Sequence, residues 1–202
     1  MGVVDWPAGK FGVIYADPPW GFKLWWGGGS NKIPAGVPSR ATIPHYETMD
    51  EAALSALPVG DLAADDCVLF LWICWPVLEQ SLRIIKAWGF EFKTCGFCWV
   101  KANGKQVDLF EESIEAHMTL GYWTRSNSEV CLLATRGKPK RLNADVRQGI
   151  IEPRREHSRK PDCVPARIER LVAGPYLELF ARTQRPGWTV WGNQTDKFAA
   201  AE

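Results

Sequence analysis

The segment "DPPW", residues 17–20, places an acid, two prolines and an indole ring directly after the apolar run "FGVI". Proline has no backbone N–H and cannot continue a hydrogen-bonded ladder, so the strand must end near Ala16 or Asp17. The segment therefore predicts a rigid turn that offers a carboxylate, backbone carbonyls and a flat stacking surface. Because ligands bind at the carboxyl ends of strands in open α/β sheets, this turn is the first candidate for chemistry.

Length and composition limit the class of protein. A chain of 202 residues is long enough for one domain with a substantial core, and we expect most of the 11 Trp to fill that core. The longest apolar run, at 67–78, is too short to cross a membrane and contains Pro76. Since the first residues also lack an apolar signal-peptide core, we expect a cytoplasmic protein that does not contact membranes.

The net charge of +1 conceals an uneven distribution. Residues 124–170 contain twelve Lys/Arg and six Asp/Glu, which gives this segment a charge of +6 and the remainder of the chain a charge of −5. A basic segment favours a polyanionic partner such as nucleic acid, although an ordinary solvated surface explains it equally well.

The cysteines favour a structural interpretation. Six Cys without a secretory signal indicate reduced thiols. Cys95 and Cys98 form a lone C-x-x-C, and a zinc site would normally show a second ligand pair at suitable spacing. Because this run also has the pattern of a buried strand, the sequence predicts no metal site.

Apolar periodicity predicts strands that alternate with helices. Strands are predicted at 11–16, 67–73, 90–99, 129–135, 175–182 and 187–192. Helices are predicted at 50–57, 78–88 and 161–172. Such alternation predicts a three-layer α/β fold with helices on both faces of one sheet.

Local signals define the ends of these helices and the segments between the elements. Asp50 is the predicted N-cap of the first helix, and Gly89 and Gly174 are predicted to end the other two. The glycine-rich segment 25–40 reads as a loop. The segments 101–120 and 136–156 are predicted to be a polar loop and an irregular basic stretch.

Nine short motifs occur in an order that resembles a known family. They are "DPPW" (17–20), "HYETM" (45–49), "LFLW" (69–72), "AWGF" (87–90), "WVK" (99–101), "GYWTR" (121–125), "HSRKPD" (157–162), "ELFAR" (178–182) and "WGNQ" (191–194). The chain resembles the adenine-N(6) methyltransferases of the eukaryotic mRNA adenosine methyltransferase type, and it is most similar to their bacterial and phage branch.

The resemblance implies a fold and a cofactor. It implies a single Rossmann-like methyltransferase domain over residues 1–202, in which the catalytic motif precedes the cofactor motif. It also implies S-adenosylmethionine as methyl donor, S-adenosylhomocysteine as product, and no metal. The residues alone leave this ligand open, because the strand at 175–182 lacks the G-x-G-x-x-G pattern of a dinucleotide site.

The resemblance makes Asp17, Pro18, Pro19 and Trp20 the catalytic motif. An adenine amino group is a poor nucleophile, because its lone pair is delocalised into the purine. Asp17 and the backbone carbonyl of Pro18 would accept its two hydrogens as the nitrogen becomes tetrahedral and positive, which is preorganised electrostatic stabilisation. The two prolines carry no N–H to compete. Trp20 would stack on the base, a contact worth ~1–3 kcal/mol.

The donor side is also implied by the resemblance. Its cofactor-binding positions are Arg155, Ser158, Lys160, Glu178, Leu179, Phe180, Arg182, Asn193 and Gln194. A carboxylate such as Glu178 suits ribose hydroxyls, and an amide pair suits ribose or the adenine edge. Lys160 suits either the methionine carboxylate or an electrostatic role near Asp17.

The substrate side is implied less specifically. The predicted substrate-binding residues are Tyr46, Trp123, Arg125, Lys138, Lys140 and Arg141, the last three as phosphate contacts. In duplex DNA the adenine must be flipped out, and the segments 21–44 and 101–120 are predicted to be mobile substrate loops. Sequence specificity must come from these loops, a homodimer partner or an accessory protein.

The leading hypothesis is an S-adenosylmethionine-dependent adenine-N(6) DNA methyltransferase. The same chemistry on RNA is the first alternative, since the basic segment suits either nucleic acid. A non-catalytic nucleic-acid-binding subunit is the second, although such family members typically lose the tetrapeptide that is intact here. Cytosine-N(4) specificity also remains open, because related enzymes use a similar clamp.

Overall fold

A computed structural model describes residues 5–21, 48–102, 124, 126–154, 156 and 159–198. Its strands are Phe11–Ala16 (β1), Ala63–Ile73 (β2), Glu91–Ala102 (β3), Ser128–Arg136 (β4), Gly149–Pro153 (β5), Tyr176–Leu179 (β6) and Trp188–Trp191 (β7). Its α-helices are Glu51–Ser55 (α1), Val59–Leu62 (α2), Leu78–Ala87 (α3) and Cys163–Leu171 (α4), and a 3₁₀ turn spans Trp75–Val77.

The strands form one mixed sheet in the order β5-β3-β4-β2-β1-β6-β7. β1 pairs in parallel with β2 and β6, β6 with β7, and β3 with β5. β4 lies between β2 and β3 and is antiparallel to both. The amino end of β4 therefore lies at the sheet edge where the other described strands have their carboxyl ends, which we call the carboxyl edge.

Helices cover both faces of the sheet, so the predicted three-layer α/β fold is confirmed. On one face, side chains of α1, α2 and α3 pack with Ile14, Leu69 and Leu132. On the other face, Val164 and Ile168 of α4 pack with the opposite residues of the same strands. This alternation follows from the period of two along a strand, which sends successive side chains to opposite faces. The described residues contain no helix long and apolar enough to cross a membrane.

Several predicted elements are confirmed. β1 has the predicted bounds, and α3 ends at the predicted place, where Gly89 adopts a φ of +82° that favours glycine. Asp50 caps α1, since its carboxylate accepts a 2.8 Å hydrogen bond from the backbone N–H of Ala53. Cys95 and Cys98 lie in β3 as predicted.

Other boundaries were predicted wrongly. β2 begins at Ala63, before the predicted start at residue 67. Its first residues include two exposed acids and lack the apolar pattern from which the strand was predicted. β3 continues to Ala102 through pairing with β5, so Lys101 and Ala102 are not part of a loop. β5 itself lies in the segment predicted to be irregular. α4 ends at Leu171, and Val172 is extended and bridges Arg141, so Gly174 does not end the helix.

Candidate active site

The "DPPW" turn follows β1 at the carboxyl edge and is fixed by backbone hydrogen bonds. Met49 N–H donates to the Pro19 carbonyl at 2.8 Å, and Gly21 N–H donates to the Met49 carbonyl at 3.0 Å. The Trp20 N–H donates to the carbonyl of Pro18 at 2.8 Å. The prolines themselves supply no N–H that could compete for this carbonyl, as expected, but the N–H of Trp20 does compete for it. Because a carbonyl oxygen has two lone pairs, it can still accept a second donor.

The Trp20 ring has a structural role in this turn. Its side chain is 7% exposed and belongs to the core between the sheet and helices α1 to α3. Its indole N–H donates to the carbonyl of Trp72 at 2.8 Å. These contacts hold the turn against β2, and the stacking of Trp20 on a base stays a prediction.

A chain of four charged side chains runs along the carboxyl edge. Lys160 Nζ lies 2.9 Å from Asp17 Oδ1 and 3.1 Å from Glu129 Oε2. Lys101 Nζ lies 2.5 Å from Glu129 Oε1. Their side chains are 13–21% exposed, so the four charges interact in a largely desolvated setting. The second of the two roles considered for Lys160, an electrostatic one near Asp17, matches this placement.

The topology explains why these groups meet. Asp17 follows the carboxyl end of β1, and Lys101 lies near the carboxyl end of β3. Glu129 joins them because β4 runs in the opposite direction and begins at this edge. Lys160 lies three residues before α4, with its ammonium 5.6 Å from the centre of the Trp72 ring.

Opposite charges hold Glu129 and Lys160 ionised. Burial would raise the pKa of Glu129, but the ammonium groups of Lys160 and Lys101 outweigh it and lower that pKa to about 2. Burial would lower the pKa of Lys160, but the carboxylates of Asp17 and Glu129 raise it above its ordinary value. The two positive and two negative charges cancel, so the site does not oppose positive charge that develops beside Asp17.

A cleft opens next to this chain of charges. Its lining includes Tyr15, Asp17, Lys160, Glu178, Phe180, Arg182 and Arg185. It thus joins the acid of the turn to four predicted cofactor-binding residues: Lys160 and, at the carboxyl end of β6, Glu178, Phe180 and Arg182. Phe180, directly after β6, has a φ of +61°, a conformation in which a non-glycine residue is strained.

Two buried polar atoms in the cleft lack a hydrogen-bond partner. They are Oε2 of Glu178 and Nε of Arg185, which lie 3.6 Å apart, too far for a hydrogen bond. Burial, more than the nearby charge of Asp17, raises the pKa of Glu178 to about 7, although Arg185 opposes the shift. An acceptor and a donor that form an ion pair but no hydrogen bond fit a ligand with hydroxyl groups, which can both donate and accept.

Three other predicted cofactor residues in the described part of the chain are not brought into this cleft. The side chain of Leu179 is fully buried in the core. Asn193 and Gln194 lie exposed in the turn after β7, outside the cleft lining. Gly192 before them packs so closely that an added Cβ would lie 2.4 Å from the carbonyl oxygen of Ala181.

Five predicted residues lie outside the described part of the chain. They are Tyr46, Trp123, Arg125, Arg155 and Ser158. The predicted substrate loops also fall almost entirely on residues that the structure does not describe, 22–47 and 103–123. The roles given to these residues and segments stay predictions.

The predicted phosphate contacts lie at the opposite edge of the sheet. Lys138 and Lys140 follow the carboxyl end of β4, and the backbone N–H of Lys138 donates to Asp66 at 2.7 Å. Arg141 bridges Val172, close to the amino end of β6. At about 3.4 Å per residue, the seven steps of β4 from Glu129 to its end span roughly 24 Å. These three residues therefore lie too far from Asp17 to contact the phosphates adjacent to a base bound there, and their role as phosphate contacts stays a prediction.

Sequence reasoning missed three residues of the site. Glu129 and Lys101 lie within the motif-bearing strands, but nothing in their local pattern shows that β3 and β4 bring them together. Arg185 lies six residues beyond the β6 strand, where the sequence offered no periodic signal. The available signal was a lysine near the end of one strand and an acid near the start of the next. This signal could be interpreted only with knowledge of the direction in which β4 runs.

Comparison with known proteins matches nearly the whole chain to methyltransferases. The MT-A70 family model matches residues 11–194. The type II methyltransferase M.MunI from Mycoplasma sp is 33% identical over 196 residues, which cover 92% of this chain and 78% of that protein. The human N(6)-adenosine-methyltransferase catalytic subunit METTL3 is 32% identical over 192 residues, and the Drosophila melanogaster N(6)-adenosine-methyltransferase MT-A70-like protein is 33% identical over 192.

The extent of these matches differs between the relatives. This chain spans 29% of the length of the human protein and 27% of the Drosophila protein, with 93% of its own residues in each match. The family match covers the "DPPW" turn, the chain of charges and the cleft within one continuous range. The chain therefore belongs to the MT-A70 family of methyltransferases.

Proposed function

We propose that this chain transfers the methyl group of S-adenosylmethionine to the N(6) amino group of adenine in DNA. The observation that carries the proposal is the Asp17 carboxylate, held by Lys160 in a cleft that is also lined by Glu178, whose buried Oε2 makes no hydrogen bond. The names of the relatives support methyl transfer, and for the eukaryotic ones they specify the adenosine N(6) position. The resemblance to the bacterial and phage branch favours DNA.

The residues of the turn account for activation of the amine. Asp17 accepts one amino hydrogen, and the second lone pair of the Pro18 carbonyl accepts the other as the nitrogen becomes tetrahedral and positive. Asp17 does not need to be a strong base, because the amino group becomes acidic only after methylation and its proton can then pass to water. Glu129 balances the charge of Lys101, which leaves the carboxylate of Asp17 and Lys160 as a neutral pair beside the amine.

The cleft residues fit the methyl donor. When bound, S-adenosylmethionine would supply an electrophilic methyl group. Glu178 and Arg185 would hold its ribose hydroxyls through the two atoms that lack partners. Phe180 and Arg182, which also line the cleft, would contact the rest of the nucleoside.

The affinity for S-adenosylmethionine is expected to fall as the pH drops below 7. In the ligand-free protein the pKa of Glu178 is about 7, whereas ribose hydroxyls donate to the ionised carboxylate. Below pH 7 the proton must be removed for binding, so Kd rises by up to about tenfold per pH unit. Calorimetry between pH 5.5 and 8 measures this slope.

Two variants control this pH dependence. Glu178→Gln should bind more weakly at pH 8 and lose the slope, because the amide does not titrate. Glu79→Gln, an exposed acid on α3, should keep the wild-type slope. A slope that persists in Glu178→Gln would assign the titration to another group.

The basic residues at the far edge are expected to contribute little to substrate binding. In the triple variant Lys138→Ala, Lys140→Ala, Arg141→Ala, the single-turnover rate should stay within about twofold of wild type, because β4 separates these residues from Asp17. Each lost phosphate contact would reduce the slope of log K against log salt by roughly 0.9. We expect an unchanged slope in salt titrations of DNA binding, and a decrease near that value per residue would contradict the placement.

Tritium transfer from S-adenosylmethionine tests the proposed function. The substrates are duplex DNA, single-stranded DNA and RNA, each with and without adenine, followed by mass spectrometry of the nucleosides. N(6)-methyladenine in DNA supports the proposal, whereas label on RNA alone supports the activity named for the eukaryotic relatives. Cofactor binding without label on any substrate would indicate a partner subunit, and no cofactor binding would indicate a non-catalytic subunit.

A further inference from the structure

Trp75 differs from the other tryptophans in the described part of the chain, because half of its surface (50%) is exposed. Five others are at most 8% exposed and fill the core: Trp20, Trp72, Trp88, Trp99 and Trp188. Core packing explains those five. It does not explain an indole ring left half in water.

The position of Trp75 connects it to the candidate active site. It begins the 3₁₀ turn two residues after β2 ends at Ile73, on the carboxyl edge. Its indole N–H donates to the hydroxyl of Ser128 at 3.1 Å, and Ser128 is the neighbour of Glu129. The adjacent Cys74 thiol has a pKa raised to about 11, by burial and by the nearby charge of Glu129, with Lys160 opposing the shift.

The ring is held in place but leaves its apolar surface available. The single hydrogen-bond donor of the indole is used by Ser128, so the exposed part of the ring offers only stacking or apolar contact. Pro76 restricts the backbone directly after it. A ring fixed in this way loses little conformational entropy when a flat partner packs on it.

We propose that Trp75 is a stacking subsite for a nucleobase that neighbours the target adenine. An unpaired base has an apolar π-face, and aromatic side chains bind such faces without sequence preference. The strand must pass the carboxyl edge to bring its target to Asp17, and Trp75 lies on that edge beside the same chain of charges. The subsite rests on the proposed function, since its ligand is part of a nucleic-acid substrate.

Methylation kinetics of Trp75→Ala and Trp75→Phe test this subsite. The substrate is an oligonucleotide that carries the methylated site mapped with wild-type protein, either intact or with an abasic nucleotide on one side of the target adenine. Phe92→Ala is the matched control, because Phe92 is an aromatic residue with similar exposure (43%) at the start of β3, on the opposite edge.

On the intact substrate we expect Trp75→Ala to lower kcat/KM by about 5- to 150-fold, which corresponds to the ~1–3 kcal/mol of one base–aromatic stack. Trp75→Phe should retain most of the activity, and Phe92→Ala should match wild type. An abasic nucleotide at the stacked position should lower kcat/KM of the wild type to that of Trp75→Ala. The same abasic nucleotide should leave kcat/KM of Trp75→Ala unchanged.

Three results would overturn the subsite. They are an unchanged kcat/KM in Trp75→Ala, an equal loss on intact and on both abasic substrates, or a loss that accompanies weaker S-adenosylmethionine binding or a changed oligomeric state. The last would indicate a role in cofactor binding or in contact with a second chain. A wild-type protein that labels no nucleic acid refutes the proposed function together with the subsite, whereas active wild type with an equally active Trp75→Ala refutes the subsite alone.

Discussion

Asp17→Ala is expected to lower the single-turnover rate of methyl transfer by about 10²–10³-fold, the cost of one preorganised hydrogen bond at the reacting group. The carboxylate of Asp17 lines the cleft and can accept an amino hydrogen while charge develops on nitrogen. The fold should persist, because Lys160 keeps its second partner, Glu129, at 3.1 Å. The affinity for S-adenosylmethionine should change little, since Glu178 and Arg185 stay in place.

Tritium transfer under single-turnover conditions measures this rate, and calorimetry measures cofactor affinity. Asp145→Ala is the control, because Asp145 is an exposed acid at the far edge, paired with Arg170. It should transfer methyl groups at the wild-type rate. A rate within tenfold of wild type for Asp17→Ala would contradict the role of the carboxylate as an acceptor in the transition state.

Lys160→Met is expected to lower the free energy of unfolding by about 3–5 kcal/mol, the usual cost of removing one partner of a buried ion pair. The substitution leaves the carboxylates of Asp17 and Glu129 close together, with Lys101 as the remaining counter-charge of Glu129. Urea denaturation at pH 7.5 measures the loss. Lys138→Met, at an exposed site on the far edge, should change stability by less than about 0.5 kcal/mol.

The difference in unfolding free energy between wild type and Lys160→Met should become smaller as the pH falls. In the wild type the pKa of Glu129 is lowered from 4.5 to about 2. The ionised carboxylate therefore stabilises the folded state fully above the unfolded pKa near 4.5, and this stabilisation is lost as the pH falls toward 2. The variant lacks most of this contribution. The gap in unfolding free energy between wild type and Lys160→Met should therefore narrow between pH 5 and pH 2, and a constant gap would contradict charge pairing as its cause.

Elements with a strong local pattern could be predicted from the sequence. β1 is an apolar run buried on both faces and is followed by the prolines, and α3 buries a periodic apolar face and is followed by Gly89; both were predicted to within a residue. β5 was missed because only Ile150 in it is fully buried and four of its residues are partly or fully exposed. That edge strand depends on pairing with β3, a non-local interaction that leaves no periodic signal.

The candidate site could be predicted only where motif and topology agree. Asp17, Lys160 and Glu178 belong to quoted motifs, and the structure brings all three to one cleft. Glu129 was missed because its place depends on the direction of β4. The apolar pattern of β4 is the same in either direction, so the sequence did not show which end of this strand meets the "DPPW" turn.

The hydrogen bonds that link Met49 to Gly21 and to Pro19 have an evolutionary consequence. They join the two ends of the stretch between these residues directly beside the acid, and the pairing of Val100 with Ser128 does the same for the stretch between β3 and β4. Because closing a longer loop costs little additional entropy, both stretches can gain or lose residues while the sheet stays unchanged. We therefore expect relatives to differ in length and composition most in these two stretches, while the sheet and the chain of charges stay unchanged.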